Sequence, residues 1–208
     1  MKGKYILLLA ILFPLLYSCQ KDESNIINNA TKGLIGHYRC VSIQWQGQPI
    51  DISGKGNATN DIINGFQELS NANAALEKGA YVDSPKEIND LTLITLCVPM
   101  QSLIYNKEHG SYDLINQSGF YAYLYLYYGV DEKGALFFKK TERLKDEDDY
   151  YKEDEYEVKY YDMKYTGDAE ILSMANGTLS VKMKACYFDW LQNKIERDDI
   201  ILKFVLCD

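Results

Sequence analysis

The sequence predicts an all-β, mainly antiparallel domain, a β-barrel or β-sandwich meander of about eight to ten strands with one short helix. Short runs of alternating apolar and polar residues recur along the chain, turn-forming residues separate them, and β-branched and aromatic residues are frequent within them. A meander of this length closes into a barrel or folds into two packed sheets, because either arrangement shields its edge strands.

Residues 1–18 have the pattern of an export signal. Lys2 and Lys4 precede an apolar run from Tyr5 to Tyr17. A helix of this run is about 20 Å long, which is too short for a hydrocarbon core of about 30 Å. We therefore expect a cleaved signal peptide and not a membrane span.

The end of this signal, residues 16–19 (LYSC), resembles the bacterial lipobox, with an aliphatic residue three positions before a cysteine and a small residue directly before it. The resemblance implies that Cys19 becomes the first mature residue and carries acyl chains. Because each buried methylene contributes ~0.8 kcal/mol, several chains anchor a protein stably to the outer membrane.

Residues 20–23 (QKDE) resemble the acidic export signal of Bacteroidetes lipoproteins, which implies exposure on the cell surface. Anchoring that faces the periplasm is the alternative. Residues 19–33 then form the lipidated cysteine and a flexible stalk, because positions 20–33 are polar and unpatterned. Residues 34–208 are long enough for a single domain with a full core.

The charge of the chain limits its partners. The full sequence has a formal net charge of −8, and the loss of Lys2 and Lys4 with the signal leaves −10. This acidic balance argues against nucleic acid, which requires clustered cations, and against peripheral adhesion to anionic lipid. The lipid on Cys19 therefore provides the attachment to the membrane.

The first half of the domain begins with an alternating strand at Ile35–Trp45, and Ile50–Ile52 is its expected hairpin partner. Apolar residues at helical spacing predict a helix within Asn60–Gly79. Leu91–Val98 is rich in β-branched residues, and we expect Pro99 to end this strand.

The second half contains more strands than the first, and Asn176-Gly177 is its strongest turn signal. Thr178–Phe188 has a clear period of two, with Leu179, Val181, Met183, Ala185 and Tyr187 on one face. The other predicted strands are Leu103–Tyr105, Phe120–Tyr128, Ala135–Thr141, Glu155–Thr166, Asp168–Met174 and Asp199–Cys207.

The strand at residues 120–128 (FYAYLYLYY) carries the candidate binding residues. Its alternation places Tyr121, Tyr123, Tyr125 and Tyr127 on one face. Such a row lines a ligand cavity, forms an exposed platform for a glycan or protein, or covers the outside of a sheet. With Trp45, these four tyrosines are the predicted ligand-binding residues.

Four cysteines remain in the mature chain besides Cys19: Cys40, Cys97, Cys186 and Cys207. In an exported protein they permit two disulfides in any of three pairings, whereas buried free thiols are the alternative. None of them is closely spaced, and His37 and His109 stand apart. The sequence therefore predicts no metal site and no cofactor.

Signatures of catalysis are absent from the sequence: it contains no HExxH, no GxSxG, no phosphate-binding glycine loop and no EF-hand loop. Paired carboxylates from the acidic run 145–157 would be the route to a glycoside hydrolase. A solvated loop tip or weak divalent-cation binding are the other interpretations of that run. We therefore expect no enzymatic activity.

A lipobox, a polar stalk, the strand start at residues 36–38 (GHY), Trp45 and then residues 47–51 (GQPID) together resemble the small lipocalin-like lipoproteins of Bacteroidetes. The resemblance implies a lipocalin-like barrel with small-ligand binding and no reaction. The expected function is that of a non-catalytic outer-membrane binding protein for a small amphipathic or carbohydrate ligand. A surface interaction or adhesion module that engages an envelope protein or a polysaccharide is the alternative.

Overall fold

The computed structural model describes residues 22–101, 103–106, 110–114, 120–139 and 169–207. Its strands are β1 (Gly36–Trp45), β2 (Ala80–Val82), β3 (Thr92–Met100), β4 (Leu103–Asn106), β5 (Ser111–Leu114), β6 (Phe120–Val130), β7 (Leu136–Lys139), β8 (Glu170–Ala175), β9 (Thr178–Asp189) and β10 (Lys194–Leu206). Its helices are α1 (residues 22–30), α2 (Ile63–Gln67) and α3 (Ser70–Lys78).

Eight of these strands form one antiparallel sheet in the order β7-β6-β3-β2-β1-β10-β9-β8, which curls into a nearly closed barrel. The first strand pairs with the last, because Tyr38 lies opposite Leu206 on β10 as well as opposite Ala80 on β2. The edges of the sheet are β7 and β8, and β4 and β5 form a separate hairpin. The predicted all-β class is confirmed, and the main sheet is a barrel.

The interior of the barrel is packed with apolar side chains. The period-two prediction for β9 is confirmed, because Leu179, Val181, Met183, Ala185 and Tyr187 are all buried. Asn176 and Gly177, with φ angles of 51° and 68°, form the predicted turn between β8 and β9. The alternation of β9 therefore places one complete side of this strand in the core.

Pro99 does not end β3, contrary to the expectation from its missing N–H group. The backbone N–H of Cys97 points toward β2 and donates to the Gly79 carbonyl. Pro99 lies two residues further along and faces the same side, beyond Ala80, where β2 no longer runs. Its ring nitrogen therefore removes no hydrogen bond from the sheet.

The predicted first hairpin is wrong. β1 pairs with β2 and β10, and residues 50–52 form no strand beside it. Ile50 instead makes an isolated bridge with Thr59. Two helices, α2 and α3, follow β1. They lie within the single helix predicted at 60–79 and are separated at Glu68 and Leu69.

The part of the predicted stalk that the structure describes is folded. Residues 22–30 are helical, Ile27 is 5% exposed, and Ile26 lies beside Gly134 in the turn between β6 and β7. Apolar burial of these isoleucines explains why the segment is not an extended tether. The expectation of a flexible stalk is therefore corrected for residues 22–33.

The remaining expectations for the N-terminus and the acidic loop fall outside the described residues. These are the signal peptide, Cys19 with its lipid, His109, the acidic run 145–157 and the strand predicted at 155–166. Among the helices that the structure does describe, none is long and apolar enough to cross a membrane.

Candidate functional site

The side chains of β6 separate the inside of the barrel from the outside. Tyr123, Tyr125 and Tyr127 are 51%, 49% and 38% exposed, whereas Leu126 and Tyr128 are buried. Successive residues of a strand point to opposite sides, so the row of tyrosines lies on the outer surface of the barrel wall. The predicted alternation of this strand is confirmed, and its tyrosine row does not line the interior.

The row continues across two neighbouring strands. Tyr81 on β2 is 49% exposed and lies opposite Thr95 on β3, which in turn lies opposite Tyr125 on β6. Adjacent strands are about 4.8 Å apart, so Tyr81 and Tyr125 are separated by roughly 10 Å across the sheet. We call the outer surface formed by Tyr81, Thr95, Tyr121, Tyr123, Tyr125 and Tyr127 the tyrosine face.

Lys78 lies at one end of the tyrosine face. Its Nζ donates a 2.6 Å hydrogen bond to the Tyr121 hydroxyl and lies 4.0 Å from the centre of the Tyr121 ring. The hydrogen bond raises the pKa of Lys78, so the side chain is a cation at neutral pH. The Tyr121 ring in turn packs edge-on against Tyr123, with ring centroids 5.7 Å apart.

Helix α3 positions Lys78. This helix contacts β1, β3 and β6, and it ends at Gly79, where the chain turns into β2. Gly79 has a φ angle of +50°, and a Cβ atom there would collide with the Tyr38 carbonyl oxygen. Only glycine fits this close approach. The turn at Gly79 leaves the side chain of Lys78, the last residue of α3, on the outside of the barrel.

Trp45 is not part of the tyrosine face. It is 3% exposed and packs in the core against Tyr187, with ring centroids 5.7 Å apart. Uninterrupted alternation along Ile35–Trp45 would place Trp45 on the same face as His37, but a bulge between Cys40 and Ser42 shifts the alternation of β1. Trp45 therefore points inward although His37 is exposed.

The four cysteines for which the sequence permits disulfides are free thiols in the structure. Cys40 faces the core, where burial raises its pKa to about 12, and Cys97 lies on the outer side of β3, where burial raises its pKa to about 11. Cys186 lies opposite Arg197 in the β9–β10 ladder, whereas Cys207 is exposed just past β10. These separate positions explain why no pair is bridged.

A buried carboxylate organises the loop after β1. Asp51, 1% exposed, accepts hydrogen bonds from the Ser53 hydroxyl and from the N–H groups of Ser53, Gly54 and Gly56. Burial alone would raise the pKa of Asp51, but these donors outweigh it and the net shift is downward. Because its acceptors are used within the loop, Asp51 has a structural role.

The described residues contain no group of three or more His, Cys, Asp or Glu side chains that could hold a metal ion. His37, the one histidine whose surroundings are described, has its Nε2 2.8 Å from the Lys78 carbonyl oxygen.

Three residues of the candidate site, Lys78, Tyr81 and Thr95, were not among the predicted ligand-binding residues. Tyr81 belongs to a strand of three residues, too short for a periodic pattern, and Lys78 comes from a helix 43 residues before Tyr121. The available signal was the run Gly79-Ala80-Tyr81-Val82, in which an aromatic residue stands between two small or apolar ones after a glycine helix end.

Comparisons with protein-family models, with curated proteins and with solved structures found no match for this chain. The fold and the site therefore define the class by themselves: a nearly closed antiparallel barrel with a packed interior and an exposed aromatic face.

Proposed function

We propose that this chain is a lipid-anchored, non-catalytic binding protein of the outer membrane that binds carbohydrate on its tyrosine face. One observation carries the proposal: among the tyrosines whose side-chain burial the structure describes, the exposed ones, Tyr81, Tyr123, Tyr125 and Tyr127, all lie on this one surface. Contiguous exposed aromatic side chains mark interaction sites on soluble domains.

The chemistry of the tyrosine side chain favours a carbohydrate ligand. A phenol combines an apolar ring, which packs against the C–H groups of a sugar, with a hydroxyl that both donates and accepts hydrogen bonds. In the described structure, the hydroxyls of Tyr123, Tyr125 and Tyr127 have no hydrogen-bond partner in the protein. They are therefore available to the hydroxyl groups of a sugar.

The shape of the face favours an extended ligand. Side chains on one face of a strand repeat every ~7 Å, so the row from Tyr121 to Tyr127 extends about 20 Å. Small-molecule sites are concave and surround most of their ligand, whereas this face lies on the outside of the barrel wall. A polysaccharide chain lying along β6 would contact several rings at once.

Attachment to the membrane is the second part of the proposal. Cys19 is three residues before residue 22, where the described fold begins, and three peptide steps span at most ~11 Å. Acylation of Cys19 would therefore hold the barrel close to the membrane surface. Replacement of Cys19 by serine should move the protein from the membrane fraction to the soluble fraction, and unchanged fractionation would contradict lipid anchoring.

Affinity electrophoresis of the domain through gels that contain different neutral and charged polysaccharides tests the carbohydrate proposal. We expect at least one polysaccharide to retard the wild-type protein and the Tyr123→Ala/Tyr125→Ala double variant to lose that retardation. Leu172→Ala is the matched control, because Leu172 is 47% exposed on β8 at the far edge of the sheet. Equal retardation of all three proteins, or of none on any polysaccharide, would refute the proposal.

A further inference from the structure

We infer that the ligand of the tyrosine face is an anionic polysaccharide whose carboxylate or sulfate groups bind Lys78 and the cations around it. This inference rests on the proposed function and adds the charge of the ligand. It is carried by the distribution of charged residues over the described strands of the barrel.

The strands that form and flank the tyrosine face contain no acidic residue. β1, β2, β3, β6 and β7 include no Asp or Glu, although the chain as a whole has a net charge of −8. β8, β9 and β10 carry the acidic residues Glu170, Asp189, Glu196, Asp198 and Asp199. Asp83, which directly follows β2, is half-buried at the border of the face.

Cations occupy positions around the face. Lys139 on β7 lies opposite Tyr127, and Arg39 is exposed on β1 two residues after His37, which lies opposite Tyr81. Together with Lys78, these residues place three cations around the tyrosine face. Of the described acidic residues, Glu77 directly precedes Lys78 and Asp83 directly follows β2. Clustered cations attract an anionic ligand.

The cations near the tyrosine face are not ion-paired. Within the described residues, no carboxylate lies at salt-bridge distance from Lys78, Arg39 or Lys139. On β9 and β10, in contrast, Lys182 pairs with Asp199 at 2.8 Å and Lys194 with Glu196 at 2.6 Å. Within the described residues, the positive charge beside the tyrosines is therefore not offset by an ion pair.

Lys78 is held in a fixed position for such a contact. Its Nζ uses one N–H to bind the Tyr121 hydroxyl and lies over the Tyr121 ring. An ammonium group has three donors, so two remain for a carboxylate or sulfate of a sugar that lies along β6. Charge-assisted hydrogen bonds of this kind are stronger than those between neutral groups.

A pair of polysaccharides that differ in charge and in the ester methyl group tests this inference. Polygalacturonate with free carboxylates and its fully methyl-esterified form share one backbone, and calorimetric titration of oligomers of each measures the affinity. We expect the ionised form to bind about tenfold more tightly at low salt and the difference to shrink as salt screens the charges.

Three variants identify the residue responsible. Lys78→Gln should weaken binding of the ionised oligomer about three- to tenfold and leave the ester unchanged, and Lys78→Arg should restore much of the loss. Lys182→Gln is the control, because Lys182 is a paired cation on β9. It should bind as the wild type does.

The outcomes separate the two proposals. Equal affinity for both forms with no effect of Lys78→Gln overturns the anionic ligand and leaves carbohydrate binding intact. Tighter binding of a single-stranded oligonucleotide than of the ionised oligomer also overturns it, because aromatic side chains and cations also bind single-stranded nucleic acid. Failure to bind either form or any glycan of the wider panel overturns both proposals.

Discussion

Tyr125 and Leu126 are adjacent in sequence and lie on opposite sides of the barrel wall, with exposed fractions of 49% and 1%. The same strand thus contributes an aliphatic side chain to the core and a phenol to the surface. Stability and binding should therefore depend on different residues of β6.

Truncation of these two residues should separate stability from binding. Leu126→Ala leaves a cavity in the core and should lower the free energy of unfolding by about 2–5 kcal/mol. Tyr125→Ala removes only surface contacts across the sheet and should lower it by less than ~1 kcal/mol. Urea unfolding followed by circular dichroism measures both, and similar losses would mean that the face assignment of β6 is wrong.

Gly79→Ala tests the close approach that ends α3. The new Cβ would collide with the Tyr38 carbonyl oxygen and would also strain a backbone with positive φ, so we expect a loss of more than ~3 kcal/mol in the free energy of unfolding. Gly33→Ala is the control, since Gly33 has a φ of +70° and nothing within 4 Å of such a Cβ. It should cost only about 1–2 kcal/mol, and equal losses would contradict this account.

Asp51→Asn should make the stability of the domain less sensitive to acid. The folded state lowers the pKa of Asp51, so its stabilising effect is present above the unfolded-state pKa of about 3.9 and is lost as pH falls through the lower folded-state pKa. At pH 7 the variant should be about 2–3 kcal/mol less stable, because an amide nitrogen cannot accept these hydrogen bonds.

Urea unfolding of both proteins at pH 7 and near pH 3 measures this dependence. The difference between wild type and variant should shrink in acid. A difference that stays constant over this range would show that the ionised carboxylate contributes nothing through its charge.

The thiols should differ in reactivity. Cys207 is exposed, whereas Cys40 and Cys97 are 4% and 2% exposed and have pKa values raised by burial to about 12 and about 11. A maleimide at pH 8 should therefore label Cys207 rapidly and label Cys40 and Cys97 only after unfolding. Peptide mass spectrometry gives the pattern, and thiols that become reactive only after reduction would show that a disulfide forms after all.

The sequence predicted those parts of the fold in which one face is clearly apolar and the turn chemistry is strong. On β9, Leu179 through Tyr187 alternate without interruption and follow the Asn176-Gly177 turn, so strand, face and hairpin were all predicted. On β1, the bulge between Cys40 and Ser42 reverses the alternation, and no residue type in that run indicates the bulge. The bulge therefore places His37 and Trp45 on opposite faces, whereas uninterrupted alternation would place them on the same one.

The candidate site was predicted only in part, for a related reason. The alternation of β6 separates its tyrosines from its aliphatic residues, but either set can face the interior of a barrel. Which set faces inward depends on the side chains that the other strands contribute to the core. Lys78 and Tyr81 join the site through the pairing of β2 with β3 and the end of α3, which are contacts between distant parts of the chain. Local patterns do not contain such contacts.

The central claim is that the ligand binds outside the barrel, on the tyrosine face. Nuclear magnetic resonance of protein labelled with ¹³C in its tyrosine rings tests it directly, with signals assigned from Tyr→Phe variants at positions 123, 125 and 127. On titration with the best polysaccharide oligomer, we expect these three ring signals to shift and those of the buried Tyr38 and Tyr128 to stay in place. Shifts confined to Tyr38 and Tyr128 would place the ligand inside the barrel and contradict the account.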